Sequence, residues 1–361
     1  MEGKPTESPS PDKIVRERGL RVVAIGGGTG LSTLLKGLKR FVLYPAEIST
    51  TLPDSPVIRD LCAVVTVSDD GGSSGRLRKE LNMPPPGDIR NCIVALSEDE
   101  ALLSKLFRHR FDKGSGLEGH SFGNLFLAAL TSLTSDFSEA VRLSSEILLT
   151  RGHIHPATTS NIELEALMED GRHVRGETNI TASKGRIREL FLVPPDVEPI
   201  PQTLDAIAHA DMITIGPGSL FTSLIPNLLV RGISQAIVAS PATKVYVCNL
   251  MTQANESLGL TAADHIRALN RHAQDQLFDY ALINRTSVSD QMKAKYALEG
   301  ACQIVADLDA IESLGVIPVL GDYLEEDGVA RHNTARVARD LLQLAAQHPR
   351  GERRAPASSG A

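Results

Sequence analysis

Near its start the chain runs from a short apolar stretch, Arg21 to Ile25, into Gly26-Gly27-Gly28-Thr29-Gly30. It then continues as LSTLLKGLKRF, with Leu31, Leu34, Leu35 and Leu38 at helical spacing. Strand, glycine loop and helix in that order fit few architectures other than an α/β sheet. Further apolar runs of the same kind are Ala63–Val67, Met212–Ile215, Ala236–Val238, Val245–Cys248 and Tyr280–Ile283. Continuous rather than alternating apolar runs suit strands buried on both faces of a parallel sheet. Ala262–His272 and Asn333–Gln347 read as covering helices. The expected fold is therefore α/β and Rossmann-like, a mostly parallel sheet with helices on both faces.

Residues 88–192 break this rhythm and read as an inserted lobe. It holds three helical segments (Ile89–Ser97, Asn124–Ser132, Ser138–Leu149) and then a β-hairpin turning at Asp170-Gly171. The nucleotide-binding core is then expected from 20–87 and 193–346. The ends, 1–19 and 347–361, lack an apolar period and read as disordered tails. Thr6, Ser8 and Ser10 are accessible phosphorylation candidates there.

Charge and cysteine usage narrow the function. The 37 basic and 44 acidic residues give −7, which argues against non-specific nucleic-acid binding. Aromatic residues make up 4% and Trp is absent, so stacking platforms for single strands are scarce. Cys62, Cys92, Cys248 and Cys302 are far apart and form no metal motif, which suits thiols in a reducing cytosol. No apolar run is long enough to insert into a membrane. A cytoplasmic protein is expected.

The polar loops at strand exits carry the chemistry. GGGTG offers bare amides at a helix mouth, where Gly27, Gly28, Thr29 and Gly30 can bind phosphate, with Ser32 as a further donor. A tight turn is the bland alternative, but three consecutive glycines exceed what a turn requires. A dinucleotide fingerprint fails, because the final glycine of GxGxxG would fall at Leu31. A nicotinamide-dependent dehydrogenase is disfavoured accordingly.

Asp69 and Asp70 head a loop of small and polar residues that includes Ser73 and ends at Arg76. A carboxylate there could accept hydroxyl hydrogen bonds or hold Mg²⁺, and Arg76 and Arg78 could meet a phosphate. Capping and a solvated turn are the alternative reading. Pro84-Pro85-Pro86-Gly87-Asp88 leads into a helix with Asp88 as its N-cap, followed by Arg90 and Asn91. His120 and Asn124 flank another helix entry and could face the cleft; a structural His is the commoner case. Gly216-Pro217-Gly218-Ser219 with Thr222 and Ser223 forms a second strand–glycine–helix junction, and Met251-Thr252-Gln253 would share its edge. Two such junctions suggest a diphosphate, or a ligand with two polar ends.

IGGGTGLSTLLKGLKR, VTVSDDGGSSGRLRKELNMPPPGDIRN, FGNLFLAAL, IGPGSLFTSLIPNLLV, CNLMTQANES, KYALEGA and the late RHN together resemble the YvcK proteins, or gluconeogenesis factors. These are bacterial relatives of 2-phospho-L-lactate transferase. The resemblance spans about Arg21 to Leu344. It implies binding of UDP-N-acetylglucosamine or UDP-glucose, with Tyr296 and Arg331 at positions the family uses to hold the UDP-sugar. It also implies a regulatory role in morphogenesis and cell-envelope homeostasis during gluconeogenic growth, with no catalytic residue and no required cofactor.

An enzyme of amino-sugar synthesis is the implied protein partner, and self-association into a homo-oligomer stays open. The alternative is a metal-dependent 2-phospho-L-lactate-type transferase using a nucleotide diphosphate donor and Mg²⁺. Its relatives carry a GDD loop and a PDxDT-like stretch, where this chain has SDDGG and PPPGDIRN. Two further departures are an apparent insertion at Tyr44–Leu61 and Asn333 where the family pattern has Asp.

Overall fold

The computed structural model describes residues 19–43, 57–98 and 101–347. The expected tails, apart from Gly19 and Gln347, the three phosphorylation candidates and the Tyr44–Pro56 part of the insertion lie outside those residues.

The first half of the chain forms β1 (Leu20–Gly26), α1 (Gly28–Leu38), β2 (Ile58–Val65), α2 (Gly72–Leu81), α3 (Gly87–Leu96), α4 (Ala101–Arg108), α5 (Phe122–Thr134), α6 (Phe137–Ile147) and β3 (His153–Pro156). A small antiparallel unit follows: β4 (Glu163–Met168), β5 (His173–Arg175), helix α7 (Glu177–Ala182) and β6 (Ile187–Val193). The second half runs α8 (Pro201–His209), β7 (Met212–Ile215), a π-helical turn at Leu220–Leu224, α9 (Ile225–Leu229), α10 (Ile233–Ala239), β8 (Thr243–Val247), α11 (Ala262–Ala273), β9 (Tyr280–Asn284), α12 (Asp290–Ala297), α13 (Leu308–Ser313), β10 (Ile317–Gly321), β11 (Leu324–Glu326), β12 (Ala330–His332) and α14 (Thr334–Gln347).

Seven strands form one sheet in the order β10-β9-β8-β7-β1-β2-β3. Every neighbouring pair is parallel; in register, Val23 lies beside Cys62 on one side and Ile213 on the other. The run Val22–Gly26 is fully buried, as a strand covered on both faces must be. The expected Rossmann-like α/β architecture is what forms.

The chain moves outward from β1 through β2 to β3, then returns to β7 and moves outward the other way. Crossovers therefore diverge on either side of the β1–β7 pair. That is the switch point of an open α/β sheet, and it leaves a crevice at the carboxyl ends of the two strands.

Two expectations need correction, and one strand was not anticipated. Ala236–Val238 is part of helix α10, not a strand, because Ile233, Ser234 and Ile237 share one buried helical face. A run that short does not distinguish strand from helix by periodicity. Residues 88–192 do not form one separate lobe: β3 extends the main sheet beside β2, and α3 packs against α1. What stands apart as a sheet is β5-β4-β6, where the expected hairpin turns at Asp170-Gly171 and Asp170 Oδ1 accepts from the Arg172 amide at 3.1 Å. Lastly, β10 had no strand signal; its Pro318 is tolerated because β10 is an edge strand paired only with β9.

Among the described residues no single helix is long and apolar enough to cross a membrane; the bent pair Leu220–Leu229 and Ile233–Ala239 passes only on length and composition.

Candidate functional site

The β1–α1 junction sits at the switch point. Gly27 caps α1 with extended backbone and no side-chain hydrogen bond, and Gly28 has φ +60°, a conformation that favours glycine. The first-turn amides of a helix have no acceptor within the helix, and among the described residues those of Thr29 and Gly30 meet no other protein acceptor. Gly30 is pressed against the second junction: a Cβ there would lie 2.3 Å from the Pro217 carbonyl oxygen and 2.8 Å from Gly218 Cα. Ser32 donates instead to the Thr29 carbonyl at 3.1 Å, so it is not free for a ligand.

Asp88 is not the N-cap of α3. Pro86 holds that position, and Asp88 lies in the first turn, where its carboxyl accepts the Gly28 amide. Burial, and then the nearby Asp69, push its pKa up to about 7.

At the exit of β2, Asp69 Oδ1 accepts the Gly71 amide at 2.9 Å, and its other oxygen lies close against Gly87. Asp70 Oδ1 accepts both the amide and the hydroxyl of Thr178, which ties this loop to α7. Glu177 joins the acidic floor; burial first, then Asp69, Asp88 and Asp70, raise it to about 8. Among the described residues no three His, Cys, Asp or Glu side chains are disposed to hold one metal ion. The carboxylates are turned to backbone and hydroxyl donors, so a Mg²⁺ site built from protein side chains alone does not fit here.

Ser73 Oγ meets His120 Nδ1 at 2.9 Å and accepts from Asn124 Nδ2 at 3.1 Å. Asn124 is buried, yet its Oδ1 has no partner. Burial and the Arg76 charge lower the pKa of His120, which favours a neutral ring held on α2. Arg76 donates to the Glu118 carbonyl at 2.6 Å. Arg78 turns away from the rim and is buried between Asn161 and Glu163. Asn91 accepts from Arg90 at 2.6 Å, and Arg90 also donates to Ser121 at 2.7 Å, so Asn91 orients that guanidinium.

The β7 junction looks the same in sequence but is filled from within. Glu256, a buried side chain absent from the sequence-derived candidates, accepts the amides of Phe221 and Thr222 at 2.8 and 3.0 Å and the Thr222 hydroxyl at 3.4 Å. Asn249 brackets Gly218, accepting its amide at 3.0 Å and donating to its carbonyl at 2.7 Å. Ser219 Oγ accepts from Gln253 at 2.8 Å. Gly216, Gly218, Ser219 and Thr222 therefore reach the expected edge, but Ser219, Thr222 and the Gly218 amide hydrogen-bond to protein. The available signal was ANES after β8, which places an acid one strand away from the glycine loop.

Tyr296 and Arg331 lie beyond β8. The Tyr296 ring packs beside Leu250, Met251, Val288 and Met292, and its hydroxyl accepts the Ala330 amide at 3.3 Å. Arg331 is exposed on β12; next to it, half-buried His332 donates Nε2 to the Cys248 carbonyl at 3.0 Å, at the end of β8. Burial lowers the His332 pKa to about 4. Asn333 Oδ1 accepts the Arg336 amide at 3.0 Å, keeping the expected capping role. From β2 to β8 the edge crosses three strand spacings, about 15 Å at ~4.8 Å each. The β1, β2 and β7 loops thus share one edge of the main sheet, while Arg331 lies on the separate β11–β12 pair.

Comparison with known proteins bears on the family and the fold. Residues 22–324 match the family model described as 2-phospho-L-lactate transferase CofD. The gluconeogenesis factor of Halalkalibacterium halodurans is 49% identical over 89% of this chain and 95% of its own length. That of Bacillus subtilis is 47% identical over 90% of this chain and 98% of its own. A crystal structure of a UPF0052-family protein from Bacillus halodurans superposes with a TM-score of 0.83 at 47% identity, covering 90% of this chain and 99% of that one. The chain belongs to the CofD family, among its gluconeogenesis factors of the YvcK type.

Proposed function

We propose that this protein is a cytoplasmic regulator that binds a UDP-sugar, UDP-N-acetylglucosamine or UDP-glucose, at the switch-point edge. Its role is to sustain morphogenesis and cell-envelope homeostasis during gluconeogenic growth by acting on an enzyme of amino-sugar synthesis. The observation that carries this reading is the open amide end of α1, where Thr29 and Gly30 meet no protein acceptor among the described residues, beside an acidic floor. The diphosphate takes the Thr29 and Gly30 amides, the Tyr296 ring stacks on uracil, and the Arg331 fork pairs with a phosphate oxygen. The names of the curated relatives support the gluconeogenic setting.

Calorimetry with UDP-N-acetylglucosamine tests the reading directly. Saturable heat is expected, with about tenfold weaker binding in Arg331→Ala, the loss of one charge-assisted pair. No heat at millimolar ligand, with protein shown to be folded, overturns it.

A second reading, a transferase using a nucleotide diphosphate donor, is favoured by one observation. Asp88 and Glu177 titrate near 7 and 8, where a general acid or base works. Divalent-metal-dependent release of UMP or a lactyl product from a donor panel would establish it in place of the regulator.

A further inference from the structure

Apart from the α1 junction, a cleft opens beside the first turn of α2, with a volume of about 880 Å³. Its walls are Gly72, Arg76, Arg110 and the glycine-rich strap 114–119. The strap is closed on itself: the Gly119 amide donates to the Phe111 carbonyl at 2.8 Å, and the Leu117 and Glu118 amides to that of Gly114 at 3.0 Å each. Arg76 donates to the Glu118 carbonyl, and Arg110 to that of Gly119. Gly119, at φ +78°, lets the Arg76 guanidinium approach; a Cβ would stand 3.2 Å from its Nη2.

Among the described residues neither arginine is ion-paired. Glu118 offers Arg76 its carbonyl rather than its carboxylate. A guanidinium has five N–H donors, and among the described residues each of these two meets a single hydrogen-bond acceptor. Two full charges facing one open cleft, held by neutral acceptors, create a field suited to a doubly charged oxyanion. The cleft is also set apart from the α1 amides. Gly28, Asp88, Asp69 and Gly71 are successive neighbours between the two, so an anion reaching across would pass two carboxylates.

We propose that the Arg76–Arg110 cleft is a second ligand site, taking the phosphoryl group of a small phosphate monoester independently of the nucleotide-sugar edge. Such a protein reads two metabolites at once. The strap is the element that responds, since both arginines already grip its carbonyls.

The probe is inorganic phosphate, read by calorimetry and by tryptic cleavage after Lys113, immediately before the strap, with and without saturating UDP-N-acetylglucosamine. Phosphate is expected to slow cleavage at Lys113 whether or not the nucleotide-sugar is present. Arg76→Gln and Arg110→Gln should each weaken phosphate about tenfold, with partial recovery in Arg110→Lys. Wild-type affinity in the folded double variant, displacement of phosphate by the nucleotide-sugar, or no phosphate effect at tens of millimolar would each overturn the proposal. Failure of UDP-N-acetylglucosamine to bind, with the phosphate response intact and arginine-dependent, would count against the nucleotide-sugar reading alone.

Discussion

The two strand–glycine–helix junctions look alike on paper and differ in what their amides do. At β7, Glu256 reaches across from the loop after β8 and takes two amides and a hydroxyl. At β1, Asp88 takes the Gly28 amide and leaves Thr29 and Gly30 open. A glycine-rich helix mouth is an anion site only when no internal carboxylate has already filled it. On the proposed reading one junction is the receptor and the other is its wall, joined where Gly30 packs on Pro217.

The sharpest way to break this contrast is to empty the filled junction. Glu256→Ala strands the buried amides of Phe221 and Thr222 and should cost about 4 kcal/mol of stability, since each buried unsatisfied donor costs roughly 1–3 kcal/mol. Glu256→Gln keeps an acceptor oxygen and should lose far less. Urea melts of the two variants check this; equal losses would mean the carboxylate's charge, not its acceptor geometry, holds the junction.

Gly30→Ala attacks the contact between the junctions. Its methyl would collide with backbone rather than a flexible side-chain end, so relief requires one loop to move. A destabilisation of about 3 kcal/mol is expected, together with loss of UDP-sugar heat at temperatures where the variant remains folded. A stable variant that binds normally would show that the loops can part.

Much of the fold was legible because buried parallel strands leave unbroken apolar runs: Met212–Ile215 was placed to the residue, and the α1 and α11 periodicities marked those helices. The strand expectation at Ala236–Val238 failed because a three-residue apolar run carries no period. The short β3, HIHP, gave no such run, which is why its membership of the main sheet was missed. At the site, every glycine junction was visible in the sequence, but which of them was already occupied was not. Glu256 lies 38 residues after Gly218 in the chain and Asp88 lies 60 after Gly28, and only the fold brings each acid to its amides.

Asp88→Asn sharpens the comparison through pH. The folded carboxyl titrates near 7, against about 3.9 in an unfolded chain. Between those values the folded protein holds a proton the unfolded chain has lost, so stability falls as pH rises through that window and the loss is complete above it. The full difference corresponds to at most about 4 kcal/mol, and about 2 kcal/mol is expected because Asp69 and Glu177 relax with it. The variant should match wild type near pH 4 and exceed it by that amount at pH 8. Wild-type affinity for the nucleotide-sugar should also decline as pH passes 7, since an ionised Asp88 repels a diphosphate, whereas the variant's affinity should stay level. Parallel stability curves for the two proteins would place the proton elsewhere.

The smallest effect tests the far end of the edge. Tyr296→Phe keeps the ring among Leu250, Met251, Val288 and Met292 and removes only the hydroxyl that accepts the Ala330 amide. That bond, long at 3.3 Å, should be worth less than about 1 kcal/mol, and uracil stacking should survive because it needs the ring face alone. Tyr296→Ala removes both and should weaken the nucleotide-sugar about tenfold, while inorganic phosphate binding to the Arg76–Arg110 cleft stays unchanged. If Phe weakened the nucleotide-sugar as much as Ala, the hydroxyl rather than the ring would be the contact, and Tyr296 would act by holding β12 and Arg331 in place.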